Sequence, residues 1–108
     1  MESKQLTLIP EKIANPKYRK VVLSELPPDE EILGQAPTLK LIESIKRFGI
    51  LQPIVLTEGD NNSYLICEGR RRIKAARSAG LVSIPAHVYP SDWSPSEIIS
   101  LVASQRQP

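Results

Sequence analysis

A single cysteine and a single histidine among 108 residues leave little room for several kinds of chemistry. Cys67 alone excludes an internal disulfide and a thiolate zinc cluster. His87 alone leaves little for a metal site or a Ser–His pair. No segment approaches the roughly 20 apolar residues of a membrane helix, and the N-terminus carries no signal-peptide pattern. The chain is therefore expected to be soluble and cytoplasmic. Charge of one sign is also scarce. Fourteen basic and twelve acidic residues give a net charge of +2, so no global basic field announces a nucleic-acid partner. At this length one domain fits and a second does not, so residues 1–108 are read as a single domain.

What charge there is, is unevenly placed. Residues 25–31 hold Glu25, Asp29, Glu30 and Glu31 with no base, whereas residues 69–80 hold five bases and no acid. That local patch suits a small anionic ligand or a short phosphate contact better than a long duplex track. Within it, the apolar run Tyr64-Leu65-Ile66-Cys67 reads as a strand, Gly69 follows, and Arg70, Arg71 and Arg72 open a helix. Cations at a helix N-terminus oppose the dipole by about 0.3–1 kcal/mol each when exposed. The same end offers unpaired backbone N–H groups to an anion. A sequence that breaks the local rule three times in succession points to function. The turn reads as a phosphate holder, with a solvated basic helix end as the plain alternative.

Along the rest of the chain, residues 5–9 read as a first strand. Residues 14–37 carry Pro16, Pro27, Pro28 and Pro37 without a sustained period. They read mainly as a long acidic, proline-rich loop, functional or mobile, with a short strand over residues 21–23 and at most a helical turn in residues 26–33. A helix begins at Pro37-Thr38-Leu39, with Leu41, Ile42, Ile45 and Phe48 on one face, and Gly49 stops it. Residues 54–57 and 63–67 form a hairpin about the turn at residues 59–62. The arginine helix ends at Ala79-Gly80, with Ile73, Ala76 and Ala79 as its apolar stripe, Arg72 near that side, and Arg70, Lys74 and Arg77 on the outer face. Residues 84–89 are a strand whose Pro85 points to an edge or a strand start. Ser94-Pro95-Ser96-Glu97 is a capping box, with Trp93 stapled near Ile98. The order gives an α+β domain, a small mixed sheet with packed helices.

At Gly49-Ile50-Leu51-Gln52-Pro53-Ile54 and Gly69-Arg70-Arg71-Arg72-Ile73-Lys74-Ala75-Ala76 the chain resembles the N-terminal domain of ParB-type partition proteins. That family has the ParB/sulfiredoxin-like fold. Ile13-Ala14-Asn15-Pro16, and Ala79-Gly80-Leu81 followed by Ile84-Pro85, are similar to further family segments. The resemblance runs from about Leu8 to Val102. It implies a DNA-partition module that binds a nucleotide, CTP in the partition proteins, or DNA phosphate. Gly69, Arg71 and Arg72 would serve the phosphates, with Arg70 as an added anion contact. Gly49, Gln52 and Pro53 would line the same pocket, and Arg106 would contribute from the last helix. Tyr18 and Arg19 are further candidates to reach it.

The departures carry expectations of their own. Arg70 stands where the family has a glutamate tied to turnover. The last helix reads Ala103-Ser104-Gln105-Arg106 where the family has a Glu-Asn pair used for phosphate and magnesium. The resemblance therefore implies anion binding with hydrolysis weak or lost and Mg²⁺ poorly supported, hence a regulatory module rather than an enzyme. The alternative is the ParB-like nuclease activity with which this family is often labelled. A sulfiredoxin-like enzyme would need its cysteine just after the turn glycine, where Arg70 stands, so Cys67 reads as a buried hydrophobe. The family's DNA-reading and dimerisation domains would follow residue 108, so the chain is expected to be the N-terminal part of a longer protein, with self-association and DNA as further partners.

Overall fold

The structure is a computed structural model and describes residues 15–50 and 52–106. The strand expected at residues 5–9 lies outside them, as do Ile13, Ala14 and Leu51. Four strands and three helices follow in order: β1 (Lys17–Val22), α1 (Leu39–Phe48), β2 (Ile54–Glu58), β3 (Tyr64–Glu68), α2 (Arg70–Ser78), β4 (Ser83–Tyr89) and α3 (Pro95–Arg106). The sheet runs β1-β4-β2-β3. β4 pairs antiparallel with β1 and parallel with β2, and β2 pairs antiparallel with β3, so the sheet is mixed.

Local chemistry accounts for most boundaries. Thr38 caps α1, its hydroxyl accepting from the Leu41 N–H at 3.1 Å, and Gly49 at φ +75° ends the helix. The β2–β3 turn uses Asn61 and Asn62 at φ 58° and 61°, a conformation asparagine tolerates well. α3 starts in the expected capping box: the Ser94 hydroxyl accepts from the Glu97 N–H at 3.2 Å, and the Glu97 carboxylate accepts from the Ser94 N–H at 2.9 Å.

Alternation along the strands divides the core in two. On one face Ile54, Leu56, Ile84, Ala86 and Val88 pack with Ile73 and Ala76 of α2, and Val21 of β1 joins them. On the other, Val55, Cys67 and Tyr89 pack with Ile98 of α3, and Trp93 lies against the same cluster as a staple should. Thr57 is fully buried, and the Tyr89, Pro90 and Trp93 carbonyls lie 3.4, 3.0 and 3.0 Å from its hydroxyl. This fastens the turn after β4 to β2.

Four expectations are corrected. The proline-rich region contains a six-residue strand, Lys17–Val22, longer than residues 21–23. Only Val21 of it is buried, so no apolar alternation announced it. β4 is an interior strand, not an edge. Pro85 is accommodated because pairing with β2 begins only at Ala86, leaving Pro85 flanked on one side, opposite Lys20. In α1 only Ile45 is buried and Phe48 is 61% exposed, since the main packing of the helix among the described residues is against α2. In α2 the buried alanines are Ala75 and Ala76, with Ala79 half-buried.

After β1 the chain crosses α2 as a strap. It makes one helical turn at Leu23–Glu25 and another at Asp29–Glu31, with Leu26 and Ile32 sunk into the first core. It then rises to the N-terminus of α1.

Candidate functional site

The site is built on the turn between β3 and α2. Register shifts between Val55 and Leu56, which face Glu68 and Ile66, so Cys67 is the extra residue of a bulge. Gly69 follows at φ +110°, ψ 19°. A Cβ there would lie 2.5 Å from Ile54 Cγ2 and 2.8 Å from Ile54 Cβ. Glycine is therefore needed both for the left-handed backbone and for close packing on β2. The family resemblance assigns Gly69 to the phosphates. The group that approaches it closely in the structure is Ile54.

α2 begins directly after Gly69, and no side chain caps it. Its first-turn N–H groups and the positive end of its dipole are offered outward. The three arginines diverge from there. The Arg72 guanidinium donates to the Gln52 carbonyl and, at 3.0 Å, to the Pro53 carbonyl. It thus brings the predicted Gly49–Gln52–Pro53 loop and the predicted arginine turn together, acting as a brace between them. Arg71 donates to the Gln35 side-chain oxygen on the strap. Arg70 is exposed and makes no hydrogen bond or ion pair among the described residues.

Further along α2, Lys74 Nζ donates to the Gly34 carbonyl at 3.3 Å. Arg77 donates to Asp29 at 2.7 Å and to the Leu23 and Leu26 carbonyls at 2.8 and 3.2 Å. The outer basic face of α2 therefore holds the strap down. Residues 33–35, Leu41 and residues 69–72 line a cleft of about 440 Å³. Sequence reasoning missed Gln35 and Asp29 as parts of this neighbourhood. The available signal was a long acidic loop beside an acid-free basic helix.

Arg106 is the last residue of α3, whose Ile99, Val102 and Ala103 line a small cavity with Cys67 and Glu68. Tyr18 packs edge-on against His87 at 5.5 Å, and Arg19 lies 5.9 Å from the centre of the Tyr64 ring. Arg19 lines a separate polar cleft with Glu25, Glu58 and Tyr64 at the hairpin end of the sheet. The structure thus does not bring Tyr18 or Arg19 to the arginine cleft. Burial pushes the Cys67 thiol up from 9.0 to about 11 against the pull of Arg70, so it is protonated at neutral pH and not a nucleophile. No group of three or more His, Cys, Asp or Glu side chains among the described residues could hold a metal ion.

The model of the ParB N-terminal domain family matches residues 3–104. The chain belongs to that family. Among its relatives, a probable chromosome-partitioning protein ParB from Mycobacterium leprae is 35% identical over 79 residues, covering 66% of this chain and 24% of that protein. Among solved structures, the truncated chromosome-partitioning ParB of Caulobacter crescentus complexed with CTP-gamma-S superposes with a TM-score of 0.63 at 27% identity, covering 85% of this chain and 55% of that one. The same Caulobacter protein complexed to the centromeric parS site gives 0.57 at 26%, covering 80% and 45%. This ParB N-terminal domain thus spans about a quarter of the curated relative. The mixed sheet and packed helices are the family fold. No helix among the described residues is long and apolar enough to cross a membrane.

Proposed function

We propose that this ParB N-terminal domain is the nucleotide-binding module of a partition protein, taking the phosphates of CTP at the N-terminus of α2. The observation that carries the reading is Arg70: an exposed guanidinium at an uncapped helix N-terminus, with no protein partner among the described residues. Guanidinium groups meet phosphate oxygens in bidentate fashion, and the first-turn N–H groups add donors from the backbone. Arg71 is the second contact, and Gly69 and Arg72 shape the site from beneath. The loop at Gln52 and Pro53 is tied to the same turn through Arg72. The Caulobacter relative complexed with a CTP analogue supports the choice of nucleotide.

The residues at the turn fit an anion, and the described residues offer no carboxylate cluster for a cation. Any Mg²⁺ would arrive on the nucleotide's own phosphates. Metal-dependent nucleases need such clusters, so the nuclease alternative draws no support from the described residues. DNA is the expected partner as well, supported by the relative complexed to its centromeric parS site, and a cytoplasmic setting goes with that role.

Isothermal titration of CTP, ATP, GTP and UTP, each with and without Mg²⁺, tests the reading on the natural chain and on Arg70→Ala. Selective CTP binding is expected, weakened about tenfold or more in Arg70→Ala, as for loss of a charge-assisted hydrogen bond. No nucleotide binding, or equal binding by Arg70→Ala, refutes it. Binding of duplex DNA alone, falling steeply with salt, would reassign the turn to a DNA backbone.

A further inference from the structure

The strap that crosses α2 has a firm base and a loosely held tip. Its base is anchored by Leu26 and Ile32, each about 5% exposed within the core, and by Arg77 on Asp29. Residues 33–37 lack both kinds of anchorage. Leu33 is 78% exposed, and no backbone-to-backbone hydrogen bond among the described residues involves positions 33–37. Among the described residues, two side-chain hydrogen bonds hold this tip: Lys74 to the Gly34 carbonyl, and Arg71 to the Gln35 side chain. Both holders are cations on the face that borders the arginine cleft.

We infer that residues 33–36 are a gate on the anion site, with the Gln35 amide occupying the Arg71 guanidinium until a phosphate displaces it. The inference rests on the anion-binding reading above and concerns its regulation. A neutral amide oxygen is a weaker partner for guanidinium than a phosphate oxygen, so an arriving phosphate wins Arg71. Lys74, a mobile point charge, turns to the same ligand and frees Gly34. The tip then keeps no hydrogen bond among the described residues between Ile32 and the Thr38 cap. Gly34 stands at φ +112°, and a Cβ there would meet nothing within 4 Å. Its glycine is thus a requirement of the closed backbone and not of packing. The closed tip lowers apparent affinity by the fraction of molecules that are open, as for any site available in one of two states.

Two substitutions test this without touching an arginine. Gln35→Ala removes the competitor for Arg71. Gly34→Ala strains the closed backbone. Pyrophosphate and CTP are titrated calorimetrically into the natural chain and into each variant. Both variants are expected to bind about three- to tenfold more tightly, the range for losing one modest hydrogen bond from the closed state. Unchanged or weaker binding by Gln35→Ala overturns the gate, the weaker case making Gln35 a ligand contact. A natural chain that is silent while either variant binds supports a closed gate. Silence in all three refutes the anion reading itself.

Discussion

Replacing Gly69 by alanine is the most exacting test of the site's construction, because two separate costs can be worked from the geometry. The first is conformational. At φ +110°, ψ 19°, an L-residue pays about 1–2 kcal/mol or more for its Cβ. The second is steric. The new methyl would sit 2.5 Å from Ile54 Cγ2, 2.8 Å from Ile54 Cβ and 3.3 Å from Ile54 Cα. Ile54 is fully buried on β2 between β4 and β3, so neither its side chain nor its backbone can retreat freely. Overpacking of this kind costs about 1–3 kcal/mol. The sum is about 2–5 kcal/mol, a large part of the stability of a domain this size.

Urea unfolding followed by the fluorescence of Trp93, the only tryptophan, gives the number directly. Ile54→Ala in the same background separates the two costs. It removes the Cγ2 contact but leaves the backbone strain and the Cβ contact, so the pair should be less destabilised than the sum of the singles. A loss below about 1 kcal/mol for Gly69→Ala, or strict additivity with Ile54→Ala, would show that the turn does not depend on the missing side chain.

Two further outcomes follow from the same geometry. Arg72→Ala should lose about 1.5–3 kcal/mol in urea unfolding, because two carbonyls of the Gln52–Pro53 loop lose a charged donor, whereas Arg70→Ala should change stability little or raise it by about 0.3–1 kcal/mol by removing a cation from the positive helix end; equal losses would refute the division of roles. The Cys67 thiol binds its proton more tightly in the folded state, about 11 against the ordinary 9.0. Its effect is absent below pH 9, and stability falls as pH rises from about 9 to about 11; Cys67→Ala should flatten that part of the profile, and an unchanged profile would refute the assignment.

Much of this domain was legible because its signals are local. The helix start at residues 37–39, the Gly49 stop, the turn at residues 59–62 and the Ser94 capping box each act within a few residues, and each appears where the sequence reading expects it. Most of β1, beyond the short strand expected at residues 21–23, escaped because exposed residues, lysines and an arginine among them, precede its one buried residue, Val21, and its pairing partner β4 lies more than sixty positions away. Pro85 misled for the same reason: the rule concerns hydrogen-bonding neighbours, and the stagger of β2 that leaves one side open is a tertiary fact. The roles of the arginines were beyond local reading too. Arg70, Arg71 and Arg72 are identical in chemistry and adjacent in sequence. A loop 19 and 20 positions before Arg72 makes it a brace, and a strap 36 positions before Arg71 occupies that side chain.

That division also accounts for three arginines standing where the helix dipole opposes them. Three cations at a positive helix end are unfavourable only if their charge has nowhere to go. Arg72 spends its charge on carbonyl oxygens at the Gln52–Pro53 loop, and Arg71 spends part of its own on the Gln35 amide. Arg70 alone keeps the full penalty, among described residues that supply it with neither a hydrogen bond nor an ion pair. An anion bound at the turn would relieve that penalty while satisfying the open N–H groups of α2. Binding energy and folding energy then come from the same contact, so ligand should raise the stability of the whole domain in proportion to the logarithm of its excess over Kd. A solvated basic helix end, the plain reading of the same three arginines, has no such coupling.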